Sequence, residues 1–236
     1  MNTSAKLTSV AFSFLALMAA SNLSSAAGMV PETSVVMVSV ADGEGTINVT
    51  NTDSKAALLY TSLENLPEDT ESLLVVTPPV ARVEAGEKQL VRFIVQSKTP
   101  ITTQRLKRVS FEGIPQKGAD DKPTVGITVR QNLPVLLSPA DLPEKADTWT
   151  VLKWSVSGQM LTVKNDSRYV VRLNQQVNVL PSDIKLALPR TYILPGEAHT
   201  LQLPAGKSVA DNSTIRIYPA SAYGYGNKPF DAALSK

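Results

Sequence analysis

From residue 124 to residue 137 the chain reads TVGITVRQNLPVLL, and its apolar residues fall on every second position. Val125, Ile127, Val129, Leu133, Val135 and Leu137 form one set, interrupted once by Gln131, while Gly126, Thr128, Arg130, Asn132 and Pro134 fill the other. A period of two over so many residues is a β-strand ladder with one apolar face. Pro134 removes a backbone donor, which suits an edge position or a bulge. The hydrophilic stretch 116–123 before it leaves the start of the strand near a domain edge. Two readings follow. The odd face fills the strand's own core, or the strand is an edge that a partner chain completes, because a long exposed β-branched edge is otherwise an aggregation hazard.

Outward from this strand the same pattern recurs. Residues 35–40 read VVMVSV and residues 46–50 read TINVT, with an Asp-Gly-Glu-Gly turn between them. Further alternating runs lie at 57–63, 89–95, 106–111, 151–156, 160–164, 169–179, 191–194, 199–203 and 214–218, most of them bounded by Pro, Gly, Asn or Asp. Many short strands at roughly ten-residue spacing specify an all-β sandwich rather than a βαβ fold. No amphipathic helix of ordinary length is present in the pattern. The proline-containing polar stretch 138–147 divides the runs, so we expect two immunoglobulin-like domains, 28–138 and 139–236, each close to the ~100 residues of one sandwich. The halves show no sequence repeat.

Residues 1–27 stand apart. Lys6, an uncharged apolar run over 7–20 and Ser24-Ser-Ala-Ala27 have the layout of a cleaved secretory signal peptide, and the run is short for a membrane span. The mature chain is therefore expected outside the cytoplasm.

Composition narrows the chemistry. With no cysteine and one histidine, thiol catalysis, Cys-ligated metal and multi-histidine sites are excluded, and we expect no metal or cofactor. The 23 basic and 21 acidic residues are interspersed, which gives no footprint for nucleic acid. His199 has no nucleophile elbow or phosphate loop to work with, so the chain does not read as an enzyme. Arg92 is expected to cover apolar surface at the sandwich edge. Trp149 and Trp154 read as core or interdomain packing.

The string Thr77-Pro-Pro-Val-Ala-Arg-Val-Glu-Ala-Gly-Glu-Lys-Gln-Leu-Val-Arg-Phe93 resembles the signature of the PapD-like periplasmic pilus chaperones. Phe111-Glu-Gly-Ile-Pro115 resembles that family's ending of the sixth strand, and Asn165-Asp-Ser-Arg-Tyr169 its turn in the second domain. The resemblance implies a boomerang of two immunoglobulin-like domains in the bacterial periplasm. It implies partners too: pilus subunits, which lack their last strand, and an outer-membrane usher that receives them, with self-association of the free protein as a further expectation. In that family the seventh strand of the first domain is lent to the subunit, which places Val125, Ile127 and Val129 in the subunit's groove. A secreted two-domain adhesion or structural module is the alternative.

The chain departs from the family at its anchor. Members hold the subunit's terminal carboxylate with an arginine late in the first strand and a lysine on the seventh, where this sequence has Ser34 and Pro134. Arg130 and Asn132 on the even face of the strand are the candidates left, with Arg172 and Arg190 of the second domain as outsiders, and a solvated surface arginine is the bland reading of each. The family's interdomain ion-pair network of acid, arginine and acid maps onto Gln104, Ser138 and approximately Ala222. All three charges are absent together, so no buried ion is left uncompensated.

Overall fold

The structure is a computed structural model and describes residues 28–115, 128–210, 212–221, 224–225 and 227–234. Val125 and Ile127 lie outside the described residues, as does the leader 1–27. The first domain holds strands β1 (Met29–Pro31), β2 (Val36–Ser39), β3 (Glu44–Asn51), β4 (Ala57–Glu64), β5 (Leu74–Thr77), β6 (Val80–Val83), β7 (Lys88–Val95), β8 (Arg105–Pro115) and β9 (Arg130–Ser138). The second holds β10 (Lys153–Ser157), β11 (Met160–Lys164), β12 (Val171–Arg172), β13 (Gln176–Leu180), β14 (Ile184–Ala187), β15 (Tyr192–Ile193), β16 (Ala198–Gln202), β17 (Thr214–Ile217), β18 (Ala220–Ser221), β19 (Gly224–Tyr225) and β20 (Phe230–Ala233). Among the described residues the helical content is one 3-10 turn, Thr148–Val151, so the all-β reading holds.

In the first domain β5, β7, β3 and β1 form one layer, and β2, β9, β8, β4 and β6 form the other. The layers are linked by a single strand pairing, Ser39 with Glu44, because the first strand region crosses over: β1 pairs with β3, then β2 runs parallel to β9. Alternate residues of both layers meet in one core, including Ile47, Val49, Val91 and Phe93 from one and Leu59, Val109, Phe111, Val135 and Leu137 from the other. Each such side chain contributes roughly 1.5–3 kcal/mol by leaving water. The second domain buries Trp154, Leu161, Val163, Leu173, Val177, Val179, Ile215 and Ile217 in its own core, with Trp149 packed against it. Arg92 is a correction: β7 lies between β3 and β5, so Arg92 is not at a sheet edge, and it pairs with Glu44 on the outer face.

A repeat with no counterpart in the sequence pattern emerges in the backbone. Asn51 is buried, and its Nδ2 donates to the carbonyls of Lys55 and Val83, both at 2.9 Å, while its Oδ1 accepts from the Asp53 amide at 3.0 Å. Asn165 in the second domain does the same: Nδ2 donates to Tyr169 O at 2.8 Å and Ile193 O at 3.1 Å, and Oδ1 accepts from the Ser167 amide at 3.2 Å. Each asparagine also accepts a main-chain hydrogen bond from a glycine turn. Gly86 N donates to Asn51 O, and Gly196 N to Asn165 O, at 2.8 Å in both cases. The glycines have φ of 78° and 79°, in the left-handed region that a side chain resists. One asparagine therefore closes the same corner in each sandwich, combining an Asx turn with donation to two carbonyls, one of them in a buried contact. Asn165→Ala is expected to destabilise the chain by about 1–3 kcal/mol, read as a lower urea midpoint at unchanged slope.

The domains meet through an apolar seam of Val35, Leu66, Leu106, Leu136 and Val170, with Tyr192 and Leu194 packed against it. The even face of β9 thus changes role along its length. Arg130 and Asn132 are exposed, whereas Pro134 and Leu136 are buried.

Candidate functional site

Two features of β9 define the site. The first is its open edge. The strand is hydrogen-bonded to β8 from Arg130 to Leu137, but β2 joins its other side only from Val135 onward. Among the described residues the stretch 130–134 therefore has one paired edge and one unpaired edge. The second is a change of burial along one face. Leu133, Val135 and Leu137 point into the core of the first domain, whereas Val129, at the same parity, is 43% exposed. The apolar alternation runs past the end of the core that uses it.

Beside the open edge lies a cleft of about 870 Å³ between the domains, lined on one side by residues 30–34, Leu106, Arg108 and residues 131–134, and on the other by Arg172, Thr191 and Tyr192. Ser34 and Pro134, the positions where the family's basic pair is expected, both line it. Neither carries a charge. The cation is on the next strand instead: Arg108 of β8 is the direct cross-strand partner of Pro134. Residues so opposed have their Cβ atoms about 5 Å apart. Arg172, which pairs with Tyr192 across β12 and β15, brings a second guanidinium from the other domain and is 9% exposed.

Arg108 is held from one side. Its Nε donates to Asn132 Oδ1 and its Nη2 donates to Asn132 O at 2.8 Å. Asn132 in turn donates from Nδ2 to Ser110 Oγ at 2.9 Å and to Glu64 Oε2 at 3.2 Å. Glu64 also accepts from Ser110 Oγ at 2.8 Å and forms an ion pair with Arg130 at 2.5 Å. The Ser110 hydroxyl is the largest cause holding the Glu64 carboxyl below its usual range, against burial and with help from Asn132, Arg130 and Arg108. Glu64 is thus occupied by three other donors. Among the described residues Arg108 has amide oxygens rather than a carboxylate as its hydrogen-bond partners, which leaves donors of its guanidinium for an anion. A fork of this kind matches a carboxylate, and charge-assisted hydrogen bonds are roughly twice as strong as neutral ones.

The four anchor candidates therefore separate. Asn132 lines the cleft and orients Arg108. Arg130 pairs with Glu64 and is absent from the cleft lining. Arg172 lines the cleft. Arg190 belongs instead to a charged contact between the domains. Arg108 itself does not emerge from the sequence pattern, because only the register of β8 against β9 puts it opposite Pro134.

The interdomain positions that lack charge are not idle. Gln104 Nε2 donates to Ser138 Oγ at 3.0 Å, Gln104 Oε1 accepts from the Val170 amide at 3.0 Å, and Gln104 N donates to Arg168 O at 2.8 Å. A neutral relay thus spans the boundary where the family places ions, and Ala222 lies outside the described residues. Charge across the boundary comes from elsewhere. Arg190 pairs with Glu68 of the first domain and with Glu197 at 2.8 Å, and Tyr192 OH donates to Glu68 at 3.0 Å.

Comparison with known proteins converges on one family. Residues 28–143 match the pili and flagellar-assembly chaperone PapD N-terminal domain, and residues 147–229 match the pili assembly chaperone PapD C-terminal domain. The sequence is 48% identical to the fimbrial chaperone YhcA of Escherichia coli K12 over 206 residues, covering 86% of this chain and 89% of that protein. It is 25% identical to the chaperone protein caf1M of Yersinia pestis over 72% of each chain. Among solved structures, the SafB chaperone in complex with the SafA pilin of Salmonella enterica superposes with a TM-score of 0.70 at 19% identity, covering 89% of this chain and 98% of that one.

Proposed function

The chain belongs to the PapD family of pilus assembly chaperones, and from that premise we propose that it lends β9 and the residues before it to a pilus subunit lacking its last strand. It is a fimbrial chaperone built from two immunoglobulin-like domains. The observation that carries the mechanism is the end of β9: an edge over 130–134 that is unpaired among the described residues, continuous with an apolar alternation that leaves its own core at Val129. Val125, Ile127 and Val129 then enter the subunit's groove, and main-chain hydrogen bonds satisfy the edge of both partners. The subunit's terminal carboxylate docks in the cleft on Arg108, oriented by Asn132, with Arg172 facing it from the second domain. The chaperone acts in the periplasm after removal of residues 1–27 and passes its client to an outer-membrane usher. When free, its exposed strand is capped by a second copy.

Ile127→Asp tests strand donation. It places a charge where the groove requires an apolar side chain, and the burial lost is worth roughly 1.5–3 kcal/mol, or about ten- to hundredfold in affinity. With the pilin encoded beside it expressed in the same periplasm, the wild type is expected to yield a soluble complex. Ile127→Asp should stay folded and recover at least about tenfold less pilin. Equal recovery from both would return residues 125–129 to this protein's own core and make the chain a static binding module.

A further inference from the structure

His199 is the single histidine of the chain, and it sits in β16 with its side chain 14% exposed. Its Nε2 is 3.2 Å from Nη2 of Arg190. A guanidinium has donors and no acceptor, so this contact needs a lone pair on Nε2 and the ring proton on Nδ1. Arg190 is the hub of the charged contact between the domains. It is braced within the second domain by Glu197 at 2.8 Å, by His199 and by the Tyr192 ring, 4.9 Å from its guanidinium carbon, and it reaches across to Glu68 in the first. Glu197 is fixed in turn, since its Oε2 accepts from the Leu194 amide at 2.8 Å and lies 3.6 Å from His199 Nε2.

We propose that protonation of His199 releases this interdomain clamp, making the angle between the domains, and with it the client cleft, sensitive to mild acid. A proton on Nε2 removes the acceptor that Arg190 uses and sets two cations about one hydrogen bond apart. The imidazolium turns to Oε2 of Glu197, 3.6 Å away, so Arg190 keeps Oε1 at 2.8 Å but loses the His199 acceptor and shares its carboxylate with a second cation. An arm so loosened holds Glu68 less well. The charged and titratable groups around the ring are Arg190 and Glu197 directly, with Glu68 and Tyr192 one contact further on; β11 meets β16 here at Val163, which carries no charge. Thr191 and Tyr192 line the cleft as well as flanking the clamp, so release is felt where the client sits. That last consequence rests on the client reading above, whereas the clamp does not.

Since the chain contains no cysteine, a labelled pair can be introduced cleanly. Ala85→Cys and Ser155→Cys, both exposed and one in each domain, carry spin labels for a distance measurement on the protein without client. The wild-type background is expected to give a narrow interdomain distance distribution near pH 8 that is lost reversibly toward about pH 5, the span in which histidines change charge. His199→Gln keeps an accepting oxygen but no proton to gain, and should stay narrow throughout. Glu68→Ala removes the far end of the clamp and should be broad throughout. A wild-type distribution unchanged across the range, or a His199→Gln protein that broadens as the wild type does, overturns the proposal. Strand donation is tested separately, by pilin recovery with wild type and Ile127→Asp, so either idea can fail while the other stands.

Discussion

Arg108→Glu is expected to abolish recovery of a client complex while leaving the chaperone folded. Arg108 stands on an outer sheet face, and its hydrogen bonds go to Asn132 alone among the described residues, so its loss orphans two amide oxygens near solvent rather than a buried ion. For the client the cost is larger. A carboxylate brought into the cleft would lose its matching fork and meet a like charge, and removing one partner of a desolvated charge pair costs about 2–5 kcal/mol, or roughly thirtyfold and more in affinity. Arg108→Lys keeps the charge without the planar fork and should fall between the two. Asn132→Ala, which frees the guanidinium from its support, is also expected to be intermediate. Arg130→Ala is the control, because Arg130 serves Glu64 and not the cleft. Pilin recovered per chaperone in the periplasm is the readout. Near-wild-type recovery with Arg108→Glu, or equal damage from Arg130→Ala, would remove Arg108 as the anchor.

Arg108 marks the point where sequence reading stops. Period-two alternation and turn residues are enough for an all-β fold, because a strand's face is a property of consecutive residues. They cannot say which residue of another strand stands beside Pro134. That requires the register of β8 against β9, which is set by the whole layer, and the basic residue one strand away is invisible from the strand where the family keeps it. The Asn51 and Asn165 corners are hidden for a related reason. Each is made by one asparagine and one glycine turn at unequal spacing in the two halves, and the strings they share are as short as Asp-Ser after the asparagine and Gly-Glu at the turn, so identity of role leaves little identity of sequence. The neutral relay through Gln104 and Ser138 is legible only as an absence of charge; that the two residues bond to each other depends on how the domains meet. By contrast the exit of β9 from its core is half visible in the sequence. The alternation continues, and only the position of the core's edge has to come from the fold.

The largest expected change in stability lies away from the cleft, at Asp69. Lys107 belongs to the same odd-numbered set of β8 as the core residues Val109 and Phe111, yet it carries an ammonium and its side chain is 3% exposed. It is satisfied from the turn at residues 66–69: Nζ donates to Asp69 O at 2.7 Å and pairs with Asp69 Oδ1 at 2.9 Å. Arg105 reaches the same carboxylate at 2.5 Å and Glu71 at 3.0 Å. Burial on its own would raise the Asp69 carboxyl, but the hydrogen bonds and charges of Arg105 and Lys107 hold it below its ordinary range. For Lys107 burial is the larger effect and draws its value down despite Asp69. Glu71 is reached by Arg105 alone, so Asp69 is the carboxylate on which the buried lysine depends. Asp69→Ala leaves the lysine buried without its counter-ion, which costs about 3–5 kcal/mol. Urea unfolding should show this as a large fall in midpoint with little change in slope. Lys107→Met, which removes the charge and keeps the volume, should cost far less, and Asp69→Ala combined with Lys107→Met should recover much of the loss. The pH response has a fixed sign. A carboxylate whose folded value is depressed contributes stability that is present above its unfolded value and is lost as pH falls through the folded one, so this contribution fades below about pH 4. The acid limb of the wild-type stability profile should therefore flatten in the double variant. A wild-type limb that the double variant reproduces would mean that other carboxylates, and not Asp69, set the acid limit of this chaperone.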